Sequence, residues 1–191
     1  TYKLIKPLIH PVMKQDETPI GYLIRIAELN QYNSYLWLSD NNSKALTIKA
    51  HHSLYEVLAK TEWAGCNLNE PVVNEVISLD LAYFISAKLR YCPICIRHSG
   101  YYKMKWQYKV SAVCREHGVW LHDSCPACGE AVAIGNSRIR DCECGADITD
   151  GDTEKVANEI LLMQNFIDGR YEPIGDDALI LRGDHKLNIK G

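Results

Sequence analysis

No stretch of the 191-residue chain is apolar for the length a membrane span needs. The opening "TYKLIKPLIHPVMK" contains basic residues but no secretory core, because Lys6, Pro7, His10 and Pro11 interrupt it. These two absences lead to the expectation of a cytoplasmic protein with no membrane partner. A Gly-rich turn and a Gly-Lys-Ser/Thr run are also missing, so the chain has no phosphate cradle of its own and should neither bind nor hydrolyse ATP. Acidic residues are missing altogether between Lys88 and Arg115. A starting Met and an obvious stop character at "HKLNIKG" are missing too, so either a short form or a piece of a longer chain is expected.

Hydrophobic residues make up 47% of the chain, enough for one ordinary core or two small ones. The net charge of -3 averages two unlike regions. The acid-free run carries Lys88, Arg90, Arg97, Lys103, Lys105, Lys109 and Arg115, whereas residues 141–177 hold eleven acids against Lys155 and Arg170. A partner meets charge locally, so the two regions suit different partners.

Before about residue 85 the pattern is helical. Thr18 can cap a helix with Pro19 in its first turn, and Ile20, Leu23, Ile24 and Ala27 recur at helical spacing. "SYLWLSD" reads as a short second helix. "SLYEVLAKTEW" places Ser53 and Glu56 in capping-box register, with Leu54, Val57 and Leu58 on one face, and "NEPVVNEVISLDL" is a fourth candidate. Several short helices in 1–85 suggest either a helix-turn-helix-like domain or a plain helical packing domain.

The cysteines then fall in pairs: Cys92 with Cys95, Cys114 with His117, Cys125 with Cys128, and Cys142 with Cys144. Two ligands two residues apart reach one ion from a tight turn, and thiolates with an imidazole are what tetrahedral zinc accepts. Four pairs make two sites. Sequential pairing closes gaps of 18 and 13 residues; a cross-braced alternative uses the same ligands, because closure entropy grows slowly with loop length. Gly129 after the third pair suits a tight turn. Disulfides compete with this reading, but the odd Cys66 and the lack of a secretory segment point to a reducing compartment. Iron at the four-cysteine set is a further alternative. Catalytic zinc usually keeps three protein ligands and an open position, and both sets supply four, so two structural Zn2+ ions and no catalytic residues are expected, with His98 and His122 as spare histidines.

In "YKMKWQYKVSA", Tyr102, Met104, Trp106, Tyr108, Val110 and Ala112 alternate with Lys103, Lys105, Gln107, Lys109 and Ser111, the period-two pattern of a half-buried strand. Its lysines would either protect a sheet edge or, with Arg97 and Arg115, track a nucleic-acid backbone. After Asp150, "DTEKVANEILLMQNFIDG" reads as a helix with Val156, Ile160, Met163 and Ile167 on one face and Gly169 as its stop; the stripe packs on its own domain or on a partner.

"ETPIGYLIRIAELNQY" resembles the opening helix of the TniQ/TnsD family in its acidic start and in Arg25, Ala27 and Asn30. "YCPICIRHSGYYKMKWQYKVSAVCREHGVWLHDSCPACG" resembles the zinc module of the same family in its CPxC, Trp-Gln, Cys-x-x-His-Gly and CPxCG, and Cys142 to Gly145 fits the later Cys-x-Cys-Gly. Thr18 and Pro19 depart from the Ser common after the Glu. The resemblance spans roughly Pro7 to Asp150 and implies a helix-turn-helix-like domain, here over 1–85, followed by tandem zinc fingers, here over 86–150; the acidic C-terminal helix and tail over 151–191 has no counterpart in it, and the whole chain reads as an α+β protein. The resemblance also implies a bacterial target-selection adaptor in transposition, which links DNA or a CRISPR RNA-guided complex to an AAA+ ATPase and has no small-molecule substrate. A zinc-ribbon transcription regulator is the other reading.

Overall fold

Helix α1 (Pro19–Leu29) starts where the sequence places it. The Thr18 hydroxyl accepts from the Gly21 N–H and Pro19 occupies the first turn, where its missing N–H costs nothing. The computed structural model describes residues 4–38, 51–69, 86, 88–132 and 138–168. Seven of the eight α1 positions from Ile20 to Ala27 are buried, and only Arg25 among them reaches the surface. The second expected helix is a single 3-10 turn, Tyr35–Leu38. Helix α2 (His51–Ala59) begins two residues before Ser53, which therefore lies inside the helix and is not its cap. Leu54 and Leu58 are buried as expected, while the fourth candidate helix lies mostly outside the described residues.

The cysteine-rich part is built of short pieces. Helix α3 (Pro93–Ser99) runs from the first ligand pair to Gly100, which closes it in the left-handed region. Strands β1 (Val113–Cys114) and β2 (Val119–Trp120) form an antiparallel hairpin with Cys114 opposite Val119. Helix α4 (Asn158–Ile167) closes the described chain. The architecture is thus mixed, helices with one small sheet, and one core joins its parts: Tyr102, Met104 and Tyr91 cluster with Ile20, Leu23 and Tyr55. Backbone bonds stitch the same seam, with Thr18 N–H donating to the Tyr102 carbonyl and Met104 N–H to the Asp16 carbonyl.

The expected strand over 102–112 is not one. Met104–Gln107 is a 3-10 turn, and the alternation fails at three positions. Gln107, expected among the lysines, is fully buried; Ser111 is 4% exposed; Val110, expected to pack, is 55% exposed. Gln107 explains the break: its side-chain oxygen accepts from the Arg90 N–H and its amide donates to the Arg90 carbonyl, so a side chain takes the place of a partner strand.

The C-terminal helix also differs. Residues 152–156 are not helical, because Val156 N–H donates to the Gly118 carbonyl and Lys155 bridges Val119. The helix docks by polar groups, Gln164 accepting from the Ala112 N–H at 2.8 Å. Met163 and Ile167 of the expected packing stripe are 65% and 47% exposed.

Candidate metal centres and the basic segment beside them

Each ligand pair sits on a turn whose geometry the local sequence supplies. Cys92 precedes α3 and Cys95 lies in its first turn, on the buried side. Cys114 and His117 flank the hairpin turn, where Gly118 N–H donates back to the Cys114 carbonyl. Gly129 N–H returns to the Cys125 carbonyl and Gly145 N–H to the Cys142 carbonyl in the same way. Gly118, Gly129 and Gly145 have φ of 62°, 75° and 86°. Nothing lies within 4 Å of where a Cβ would stand at Gly129 or Gly145, so these glycines serve conformation rather than space. Gly129 alone is expected in a turn on local grounds, Gly118 and Gly145 standing out only within the family-like motifs; a Gly directly after the second ligand is the signal common to all three.

The eight residues come together as two groups in sequential pairing: Cys92, Cys95, Cys114 and His117, then Cys125, Cys128, Cys142 and Cys144, with ligand atoms in each within 4.8 Å of one another. In the first group the Cys95 and Cys114 sulfurs are 3.6 Å apart, and His117 Nδ1 lies 3.6, 3.2 and 3.6 Å from the sulfurs of Cys92, Cys95 and Cys114. In the second, Cys125–Cys144 and Cys128–Cys142 are 3.8 and 3.7 Å. A tetrahedron with metal–sulfur bonds of about 2.3 Å has edges of about 3.8 Å, so both groups fit a four-coordinate ion and neither can be a pair of disulfides at about 2.05 Å. His98, His122 and Cys66 stand outside both groups. Cys66 is half-buried, with burial pushing its thiol up to about 11.

Crowded thiols cannot all ionise unaided. Hydrogen bonds from Cys114 and Cys95 pull the Cys92 thiol down to about 3, and the same contacts push Cys95 far up. In the second group burial raises Cys125, but the backbone N–H groups of Cys128 and Ala127 outweigh it and bring it to about 7. The Cys144 N–H favours ionised Cys142, yet burial and the neighbouring sulfurs leave that thiol at about 12. A central cation removes this competition, because it stabilises every thiolate at once.

The nominated basic residues are not one ridge. Lys103 is 12% exposed and bonds Glu116, with Asp16 at 3.8 Å; burial would lower its pKa, but the Glu116 carboxylate outweighs this and holds it above its ordinary value. Glu116 in turn accepts from the Cys95 thiol, so this ion pair sits against the first metal group. Arg97 donates to the Thr149 carbonyl, and Arg115 donates to Asn165 with Asp168 at 3.5 Å. Lys105 is half-buried and Lys109 exposed. Lys88, 53% exposed with Asp123 at 3.3 Å, and Arg90, which donates to the Tyr108 carbonyl beside Lys109, join that end of the segment. Sequence reasoning counted both in the acid-free run without assigning them a role.

The TniQ family model matches residues 8–121, well over half of the chain. The chain belongs to the TniQ family. The TniQ match takes in α1, α2 and the whole first metal group and ends at Leu121, before the second group. Membership brings a target-selection role associated with transposition, in a family of non-enzymatic adaptors. No curated protein matches the chain. Among the described residues no helix is long and apolar enough to cross a membrane.

The TniQ-like residues of α1 are placed by the fold. Arg25 grips both oxygens of the fully buried Glu17 at 2.7 Å. Asn30 closes the helix, its amide donating to the Ile26 and Ile9 carbonyls while its oxygen accepts from the Ile9 N–H. Ala27 is buried. The family signature here is a set of clamps that pin the N-terminal segment along α1.

Proposed function

We propose that this chain is a target-selection adaptor that holds an AAA+ ATPase at a site chosen by a DNA-reading or CRISPR RNA-guided component, with structural zinc in both metal groups. The TniQ match across α1 and the first metal group carries the reading. Zinc is the ion of choice because the first group supplies three sulfurs and an imidazole nitrogen, and the second four sulfurs, at tetrahedral spacing. Three thiolates and a neutral imidazole would leave a zinc site with one net negative charge, beside which the Lys103–Glu116 ion pair sits.

For nucleic acid we propose Lys109 together with Lys88 and Arg90. Lys88 is paired with Asp123 at the open surface, where water and salt weaken the pair, whereas the more buried Lys103 and Arg115 would enter such a surface only with their carboxylates beside them. Protein partners have the acidic segment 141–168 and the exposed Leu162, Met163 and Ile167 of α4. An adaptor needs only modest affinity at each surface, since linked contacts together exceed either alone by about 10² to 10⁴.

The test combines target nucleic acid, this chain and the cognate ATPase. Retention of the ATPase on the target must depend on this chain. Equal retention without it, at matched salt and protein concentration, favours the zinc-ribbon transcription regulator instead. Two zinc ions per colourless chain are expected by elemental analysis, and a coloured second group would assign it to iron.

A further inference from the structure

The two metal groups differ in what stands between them and solvent. Cys92, Cys95 and Cys114 of the first are all buried. Leu161 of α4 also lies 3.9 Å from where a Cβ would stand at Gly118, the glycine that follows the last ligand of that group. In the second group Cys125 and Cys142 are buried, but Cys128 and Cys144 are exposed. The glycines directly after those two, Gly129 and Gly145, have nothing within 4 Å of a Cβ position, so both exposed cysteines sit on open turns.

Each exposed sulfur has a buried one beside it. Cys128 and Cys142 are 3.7 Å apart, and Cys144 and Cys125 are 3.8 Å apart. Cysteines that hold zinc are thiolates at neutral pH, and the thiolate is the form that attacks an oxidant. Oxidation follows thiolate character and exposure, and a second thiol within reach turns the first product into a disulfide. The first group has the thiolates without the access. The second has both, together with a resolving sulfur for each exposed one.

We propose that the second metal group is an oxidation site for peroxides, where Cys128 and Cys144 react first and Cys142 and Cys125 resolve them as disulfides. The Cys128 thiolate takes one oxygen from hydrogen peroxide, forming an S–O bond as the O–O bond breaks, and the departing hydroxide takes a proton to become water. The Cys142 thiolate then displaces hydroxide from that sulfur, forming the S–S bond, and a second proton makes the second water. Two electrons pass from the two sulfurs to one peroxide; Cys144 and Cys125 consume another in the same way. Each disulfide removes two of the four thiolates that would hold the ion, so oxidation costs the second group its zinc. Unlike loss of a ligand by mutation, it keeps the loop between the two cysteines closed, by a covalent bond. This site rests on zinc in the second group and goes beyond the adaptor reading.

The experiment uses the full zinc-loaded chain, with zinc counted by elemental analysis before hydrogen peroxide is added. Zinc release is followed with a coloured chelator. The chain is then denatured, remaining thiols are alkylated, and disulfides are mapped by peptide mass spectrometry. One of the two ions should be lost at a peroxide dose that leaves the other in place. The first disulfides should join Cys128 with Cys142 and Cys144 with Cys125, while Cys92, Cys95 and Cys114 are recovered alkylated. A dithiol reductant with added zinc should restore the second ion. Disulfides among Cys92, Cys95 and Cys114 as early as in the second group overturn the proposal. So does equal zinc loss to the chelator without peroxide, and so does oxidation of Cys128 and Cys144 to sulfinic acids with no disulfide. A zinc count below two before peroxide faults the zinc reading instead, and the disulfide map from the same chain still decides which sulfurs peroxide attacks.

Discussion

Glu17 is fully buried, and its carboxylate is satisfied from three sides: two nitrogens of Arg25 and the Lys14 N–H. A buried charge with all its lone pairs used is tolerable, whereas one stripped of its partner is not. Arg25→Ala should therefore destabilise the fold by about 3–5 kcal/mol in urea unfolding. Glu17→Gln should cost less, because an amide oxygen still accepts from Lys14 and the partly exposed Arg25 can turn to water. Equal losses would show that packing rather than charge dominates there. A second residue-scale prediction concerns Gly129. With open space around it, only its positive φ resists a side chain, so Gly129→Ala should cost about 1–2 kcal/mol and Gly129→Asn less, measured by thermal unfolding of the metal-loaded protein.

At the scale of elements, what could be read from sequence depended on how local the cause was. The start of α1 was readable because Thr18 and Pro19 act on their immediate neighbours, and the ligand pairs because ligands with one or two residues between them share a single turn. The segment 102–112 was misread because Gln107 answers to Arg90, seventeen residues away, and no periodicity within the segment encodes that. Helix α4 starts late for a similar reason: the hairpin's Gly118 captures Val156. The shared core also changes what metal loss should do. Finger peptides bind zinc with about 10–16 kcal/mol, so Cys92→Ser or Cys125→Ser should unfold the cysteine-rich part. Because Tyr102 packs in one cluster with Ile20 and Leu23, and Thr18 N–H rests on its carbonyl, the first metal group should also support α1. Hydrogen exchange at Ile20–Leu23 should accelerate in Cys92→Ser. Unchanged protection there would mean that the helical part stands without the metal.

Across the whole molecule, the charge asymmetry seen in composition survives folding only in part, because the fold spends Lys103, Arg97 and Arg115 on its own carboxylates and carbonyls. That pairing makes the size of any nucleic-acid effect predictable. If Lys88, Arg90 and Lys109 each neutralise one phosphate of B-form DNA, they contribute about -2.7 to the salt slope, or roughly fortyfold in affinity between 50 and 200 mM salt. The triple alanine variant should lose that slope. Lys88 and Lys109 are exposed and should barely affect folding, while Arg90, which bonds the Tyr108 carbonyl, should lower stability modestly. Replacing Lys103 and Arg115 instead should leave the slope nearly intact, since each is held by a carboxylate away from open solvent, unlike the exposed Lys88–Asp123 pair, and should weaken the packing around the first metal group and α4. A slope that follows Lys103 and Arg115, and ignores Lys88, Arg90 and Lys109, would show that these ion pairs open on binding and that the nucleic acid lies against the first metal group and the end of α4.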